Sequence, residues 1–325
     1  MFACMAPLSK ASADSWPATM SAAAVVIEAN SGELLFSANG DQALPPASTT
    51  KVISALVALD MCPDMDRSVT ISAQAAAVGE MSIYLREGEN LTVSDLLIGA
   101  LVHSGNDAAY ALGEAVAGSE PWFVHWMNMK AMVNGAYSAN MKNTNGLPAQ
   151  EHSISAEDLA VLSAEAMNND LFAQVVSSKY AVLGEGLSYR RYQNTNKLLW
   201  HDERIVGVKT GTTDDAGPCL VAALRDGAAL YISVVYNAID RYGESMRLLD
   251  HAADSYMLAC PIEAGDALAY WPQADSLLYA CDTVRFLLPH NDLSKVKVRW
   301  ELPYRVVFLD QTGKELGQSL LQAGI

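Results

Sequence analysis

The chain has 325 residues, 51% of them hydrophobic, and a formal net charge of −16. That is ample for one large core, or for a large domain plus a small one. A surface this acidic, without a basic stripe, excludes a nucleic-acid binder and exerts no pull toward anionic lipid, and no apolar run reaches the ~18 residues of a membrane span.

The opening "MFACMAPLSKASADSW" has a short apolar stretch before Ala11-Ser12-Ala13, an A-x-A pattern suited to signal peptidase, although a basic n-region is missing. Residues 1–20 therefore read as the remnant of a signal peptide or a disordered tail. The expectation is export, with the mature chain starting near Asp14. Cys4 would leave with the leader. Cys62, Cys219, Cys260 and Cys281 show no C-x-x-C spacing, so no metal or other cofactor is expected. Cys260 and Cys281 could pair, and Cys219 sits in an apolar run as a small buried residue.

Next, "AAAVVIEANSGELLFSANG" predicts a hairpin, with runs Ala24–Glu28 and Glu33–Ser37 around the turn Asn30-Ser31-Gly32. Pro45 and Pro46 stop the strand. Ser48 or a close neighbour then caps a helix running to about Asp60. "LTVSDLLIGALVHSGNDAAYALGEAVAG" predicts two helices broken at Ser104-Gly105-Asn106. A helix over 121–134 carries Trp122, Phe123 and Trp126, an aromatic cluster expected in the core. Another helix spans about 155–168. Ile205–Lys209, Cys219–Leu224 and Ala228–Tyr236 read as strands, the last two joined at Asp226-Gly227, and a helix follows from about Tyr242 to Leu258. Beyond Pro261 the text alternates like a small β-module. The predicted boundary lies near 260–263. Strands from both ends with helices between them make an α+β plan.

Three short motifs carry the chemistry. In Ser48-Thr-Thr-Lys51, residues three apart on a helix share a face, so the amine can reach the hydroxyl. A serine needs a base, and lysine can be one only when neutral. Burial and a second cation both lower its pKa. The spacing alone is weak, since about one Ser-x-x-Lys is expected by chance, and a second occurs at Ser294–Lys297, read as an exposed β edge with the Ser on a strand. Ser104-Gly-Asn106 interrupts two apolar helices, where a turn can push polar side chains into a cleft. Lys209-Thr210-Gly211 ends a β-like run and precedes Thr212. Lys209 supplies the second cation for an anionic substrate end, Thr210 a hydroxyl, and Gly211 room for substrate backbone. A triad through His103 or His152 lacks its G-x-S-x-G elbow, and His103 reads as a packed or solvent-edge side chain.

With these motifs in the order 48, 104, 209, the sequence resembles the serine D,D-carboxypeptidases, the low-molecular-mass penicillin-binding proteins. "PPASTTK", "LLIGALVHSGNDAAYALGE", "NTNGLP", "SAEDLA", "NTNKLLW" and "GVKTGTTDDAGPCLVA" resemble family blocks in family order. The resemblance implies a penicillin-binding protein/β-lactamase-like transpeptidase fold: an antiparallel sheet flanked by helices plus a helical lobe. Residues 21–260 would be the catalytic domain and 261–325 a small β-rich domain. It implies Ser48 as nucleophile, Lys51 as base, Asn106 orienting Lys51 and the substrate amide, and Ser104 passing a proton to the leaving amine with Lys209 behind it. Thr210, Gly211 and Thr212 would bind substrate, and the N–H groups of Ser48 and Thr212 would form the oxyanion hole. The implied partners are peptidoglycan stem peptides ending in D-Ala-D-Ala, and β-lactams as covalent inhibitors, in an extracytoplasmic setting. Many relatives carry Arg where Thr195 stands here, which leaves carboxylate binding to Lys209, Thr210 and Thr212, with help from Arg190 or Arg191. "KELGQSLLQAGI" is too short and not basic enough to resemble the amphipathic membrane anchor of some relatives.

Three other functions remain open at this stage. A D,D-endopeptidase shares the acyl-enzyme. A β-lactamase-like hydrolase would need a deacylating Glu, and Glu151 lacks the Glu-x-x-Leu-Asn setting. A non-catalytic muropeptide-binding protein predicts a damaged motif.

Overall fold

The structure is a computed structural model describing residues 16–290 and 292–323. The expected cleavage pattern at Ala11-Ser12-Ala13 lies outside the described residues. Trp16 stacks on Phe36 with ring centroids 5.0 Å apart, and the backbone N–H groups of Met20 and Ser21 donate to the Glu244 carboxylate. The molecule divides into two units, Met1–His251 and Ala252–Ile325.

The first unit holds a five-stranded antiparallel sheet built from both ends of its sequence. Strands β1 (Ala23–Glu28), β2 (Glu33–Ala38), β3 (Ile205–Thr213), β4 (Gly217–Asp226) and β5 (Ala229–Tyr236) lie in the order β2-β1-β5-β4-β3. The N-terminal hairpin thus docks on the distant β4–β5 hairpin, with Val25 opposite Val234. β1 and β5 are interior strands, buried along their whole length. That explains why both read as unbroken apolar runs rather than as alternation. β3 closes the sheet at one edge.

Six helices of eight or more residues fill the middle of the described sequence: α1 (Lys51–Met61), α2 (Val93–Val102), α3 (Asn106–Ala117), α4 (Glu120–Val133), α5 (Ala156–Met167) and α6 (Asp170–Ser177). Helix α1 is packed by α2, α3, α4 and α5, and Lys51–Ala58 are all buried. A helix covered on every side must be apolar on every side, which accounts for "VISALVA". Local signals set the ends of its neighbours. Thr92 and Asp95 make a capping box at α2, Ser155 accepts from the Asp158 N–H at α5, and Gly118 leaves α3 at φ 79°. Across α5 lie β1 and β5.

Several local expectations need correction. The N-cap position of α1 falls to Thr50, a close neighbour of Ser48, but its side chain makes no capping bond. Ala47–Thr50 form a 3₁₀ turn ahead of the helix, without side-chain capping, and the hydroxyls of Thr49 and Thr50 donate back to the carbonyls of Pro46 and Ala47 at 2.6 and 2.8 Å. Of the α4 aromatics only Phe123 is core; Trp122 and Trp126 are 63% and 43% exposed. The buried stripe runs Phe123, Met127, Ala131, a spacing of four that leaves position 122 and its i+4 partner outside it. The last helix, α7 (Arg241–Ser255), stops before the expected Leu258. Tyr256–Ala259 instead pair with Phe286–Pro289, a non-local partner that outweighs an ambiguous apolar run.

In the second unit Tyr256–Ile262 pairs with Val284–Pro289. A five-stranded sheet is ordered Ala267–Trp271, Ser276–Ala280, Glu315–Ala323, Arg305–Leu309, Lys297–Glu301. Val284, Phe286, Val306 and Phe308 centre its core. Cys260 and Cys281 do not pair: both are free and exposed, one on Tyr256–Ile262 and the other just past the end of Ser276–Ala280, a strand of a different sheet. Cys219 is buried, as its apolar surroundings predict.

Candidate active site

The 3₁₀ turn Ala47–Thr50 lies against β3 and delivers Ser48 one turn ahead of Lys51. Lys51 is fully buried. Its Nζ has three partners: Ser48 Oγ at 2.9 Å, Asn106 Oδ1 at 2.8 Å and the Asn145 carbonyl at 2.8 Å. Two of these are pure acceptors. A neutral amine has two N–H groups and one lone pair. In a neutral amine the two carbonyl oxygens would take the N–H groups and leave the lone pair for the serine hydroxyl. Burial, then the Lys209 charge, push the Lys51 pKa well below its ordinary value, against weaker upward pulls from Asp107 and Glu80.

Asn106 is held on both sides. Its backbone N–H donates to Met81 O at 2.7 Å and its Nδ2 to Gly79 O at 3.0 Å, which turns Oδ1 toward the lysine. The strap supplying those carbonyls is tied down by the buried Asp107 carboxylate. Asp107 accepts from Ser82 Oγ at 2.6 Å and from the N–H groups of Ile83 and Leu85 at 3.0 Å each. Ser104 precedes α3 in the same turn, 5% exposed, at φ 69°.

Lys209 on β3 is 1% exposed, and its Nζ donates to the Thr210 carbonyl at 3.0 Å. Burial, helped by the Arg241 charge, lowers its pKa to about 7. Thr210 Oγ1 donates to Thr195 Oγ1 at 2.7 Å. Thr212 Oγ1 accepts from Arg241 Nη1 at 2.8 Å, and the same nitrogen donates to the Gly211 carbonyl at 2.8 Å. The cation beside the third motif is therefore Arg241, at the start of α7. Arg190 is spent elsewhere, in a two-pronged pair with Glu89 at 2.7 and 2.8 Å, and Arg191 lies over the Tyr180 ring at 4.9 Å.

Two glycines let the Ser48 turn fit. A Cβ on Gly211 would stand 2.9 Å from Ser48 N and 3.0 Å from Pro46 O. A Cβ on Gly146, at φ 86°, would stand 1.9 Å from Ala47 O. The close approach at Gly211 is thus made by this chain's own backbone. Neither histidine bonds Ser48. His103 stacks on Tyr192 at 4.1 Å, and His152 contacts Thr50. Glu151 faces solvent, 3.8 Å from Lys142.

Arg241, Asp107 and the Asn145 carbonyl escaped the sequence reading. Arg241 belongs to no motif, and its only signal is its place just past β5. A backbone carbonyl has no letter of its own, although Asn145 falls within the quoted "NTNGLP".

Comparison with known proteins places this geometry. The family profile described as D-alanyl-D-alanine carboxypeptidase (peptidase S11) matches residues 10–240. The D-alanyl-D-alanine carboxypeptidase DacF of Bacillus subtilis (strain 168) is 34% identical over 241 residues, covering 72% of this chain and 62% of that protein. DacC of Escherichia coli (strain K12) is 32% identical over 309 residues, covering 88% and 76%. The chain therefore spans less than two thirds of the Bacillus relative. The crystal structure of penicillin binding protein 5 from Haemophilus influenzae superposes with a TM-score of 0.82 at 27% identity, over 96% of this chain and 98% of that one. With the profile matched across most of its length and two relatives above 30% identity, the chain belongs to the D-alanyl-D-alanine carboxypeptidase family.

Proposed function

We propose that the protein is a serine D,D-carboxypeptidase that removes the terminal D-Ala from peptidoglycan stem peptides through an acyl-enzyme on Ser48. The observation that carries this reading is the set of three partners around Lys51 Nζ, which suits a neutral amine pointing its lone pair at Ser48 Oγ. Lys51 takes the hydroxyl proton as Oγ attacks the carbonyl carbon of the penultimate D-Ala. The N–H groups of Ser48 and Thr212 receive the oxyanion. As the C–N bond breaks, Ser104 gives its hydroxyl proton to the departing amine and takes up the proton held on Lys51, with Lys209 behind it as a fixed charge, so Lys51 is neutral again for the second step. Water then attacks the ester, Lys51 accepts its proton, and Ser48 is restored. Lys209, Thr210, Thr212 and Arg241 bind the substrate carboxylate, while Gly211 gives the Ser48 turn room against the edge strand. A β-lactam carries the same carboxylate and amide and acylates Ser48. Glu151 faces solvent beside Lys142 and lacks the setting of the glutamate that activates a deacylating water in a class A β-lactamase, so that ester is expected to persist.

A peptidoglycan substrate supports an extracytoplasmic setting, with the enzyme secreted or associated with the cell wall or membrane. Among the described residues no helix is long and apolar enough to cross a membrane.

The test is D-alanine release from a diacetyl-Lys-D-Ala-D-Ala peptide alongside fluorescent-penicillin labelling. Both are expected in the wild type and neither in Ser48→Ala. Equal release by the two proteins, or labelling at another residue, overturns the assignment. Rapid catalytic turnover of penicillin makes the protein a β-lactamase instead.

A further inference from the structure

His152 lies outside the three motifs, yet it joins two segments that meet at Lys51. Its Nδ1 accepts the Lys142 backbone N–H at 3.0 Å. That contact leaves the ring proton on Nε2, which stands 2.9 Å from Thr50 Oγ1. The Thr50 hydroxyl in turn donates to the Ala47 carbonyl at 2.8 Å. A directed chain thus runs from imidazole N–H to hydroxyl to carbonyl, and it ends on the residue before Ser48. Ala47 sits at φ 49°, a left-handed conformation unfavourable for any residue with a Cβ. Something must hold it there.

The other end of the imidazole fixes a second reactant-bearing loop. Lys142 leads into the Asn143–Leu147 loop, where Asn143 Oδ1 accepts from Gly146 N at 2.7 Å and Asn143 Nδ2 donates to Leu147 O at 2.8 Å. That loop presents the Asn145 carbonyl to Lys51 Nζ. It also brings Gly146 against the Ala47 carbonyl. His152 therefore sets the spacing between two partners of Lys51, the Ser48 hydroxyl and the Asn145 carbonyl. Burial, with Lys142 nearby, lowers its pKa to about 4, so the neutral tautomer that the chain requires persists at neutral pH. The ring lines a small pocket with Ala47, Gly146, Leu147 and Thr213, and Asp215 stands on its wall.

We propose that His152 is a positioning residue for acylation: through Thr50 it holds the strained Ala47–Ser48 turn in register with the loop that supplies the Asn145 carbonyl. This rests on Ser48 as the nucleophile and adds a residue to that machinery.

The experiment compares His152→Gln, His152→Asn, Thr50→Val and Thr50→Ser in the full chain. It reads the penicillin acylation rate constant per labelled molecule, together with Tm. Gln keeps a donor where Nε2 stood and loses the acceptor for Lys142. Asn keeps the acceptor and loses the donor. The expected result is that Thr50→Ser retains most of the acylation rate, whereas Thr50→Val and both His152 variants, each missing one of the two links, lose about 10- to 100-fold, the range that follows a misplaced reacting group. A purely structural role would move Tm and the labelled fraction but not the rate per labelled molecule. Should His152→Asn fail to fold, the Thr50→Val and Thr50→Ser pair decides. Wild-type rates in both His152→Asn and Thr50→Val overturn the inference, as does a rate loss in Thr50→Val that Thr50→Ser shares. Labelling that survives in Ser48→Ala instead sinks the nucleophile assignment itself.

Discussion

The chain contains two Ser-x-x-Lys segments, and they meet opposite fates. At Ser48–Lys51 the serine rides a 3₁₀ turn that runs straight into α1, so the side chains remain on one face, 2.9 Å apart. At Ser294–Lys297 the serine also lies on a 3₁₀ turn, Leu293–Lys295, rather than on the expected strand. There the chain next enters the edge strand Lys297–Glu301, and Lys297 turns outward, exposed, its Nζ 3.4 Å from the Gln311 carbonyl. Spacing is common to both. What differs is a continuing helix, a buried environment and two fixed carbonyl acceptors. A lysine becomes a base through its surroundings, so substitutions that alter those surroundings should separate the two segments.

The largest expected effect comes from denying Lys51 its neutral state. Arginine cannot be deprotonated in a protein. Lys51→Arg should therefore lower acylation by roughly 1,000-fold or more, the scale of a lost general base, while Lys297→Arg leaves it unchanged. Penicillin labelling at matched concentrations of folded protein reads both. Near-wild-type labelling in Lys51→Arg would mean that the proton leaves Ser48 by another route.

Next comes the second buried cation. Lys209→Met should cut kcat/KM for a carboxylate-ended peptide by about 100-fold, the worth of roughly 2.7 kcal/mol of charge-assisted binding. The same change should make the fold more stable. The unfolded side chain titrates near 10.5 and the folded one near 7. Between those values the unfolded chain binds more protons at this site, so wild-type stability rises with pH over that window. Below pH 7 the wild type bears the whole cost of burying the ammonium group. The variant's gain, at least about 1 kcal/mol, should thus be full near and below pH 7 and vanish above about pH 10.5. Urea unfolding at pH 6 and pH 10.5 checks this. An equal gain at both values would point to packing rather than charge.

Much of the contrast between the segments was legible in sequence, and the remainder failed for identifiable reasons. The hairpin at 23–38, the α2–α3 break and the all-round apolar α1 follow from period, turn chemistry and composition, which are local. The docking of β1 on β5 could be inferred only as a plan, because strand pairing across 200 residues leaves no local mark. Around Lys51 the side-chain partners sit within motifs, but its third acceptor is a backbone carbonyl. Gly211 was read as space for substrate; its tightest neighbours prove to be Ser48 N and Pro46 O of the same chain. Arg190 looked free for a carboxylate until its pairing with Glu89 was visible, and Arg241 stood unnoticed at the head of a helix. Tertiary proximity decided each of these cases.

A smaller effect should follow from Gly146→Ala. Its Cβ would fall 1.9 Å from the Ala47 carbonyl, in a backbone conformation at φ 86° that alanine disfavours. The turn must shift away from Lys51, and acylation should slow by about 10-fold, with a loss of about 1–3 kcal/mol in stability. Gly313→Ala shares the positive φ of 89° in the second unit but has nothing within 4 Å. It should lose stability to strain alone and leave acylation untouched.

The subtlest expectation concerns Arg241 and the alkaline limb of the pH profile. If Lys209 receives the substrate carboxylate as proposed, it must be protonated in the free enzyme, and burial with the Arg241 charge lowers its pKa to about 7. kcat/KM for a carboxylate-ended peptide should therefore fall as pH rises through that value. Burial is the larger cause of the low pKa and the Arg241 charge the second. Removing the second cation relieves repulsion on protonated Lys209 and raises its pKa, so Arg241→Ala should move the limb to higher pH. The variant will also bind carboxylate more weakly, because Arg241 Nη1 steadies both Thr212 Oγ1 and the Gly211 carbonyl. That loss changes the height of the profile and leaves the position of its limb to report the charge. Arg241→Lys keeps a cation nearby and should leave the limb close to its wild-type place. A limb that stays put in Arg241→Ala, or moves to lower pH, would show that some group other than Lys209 titrates there.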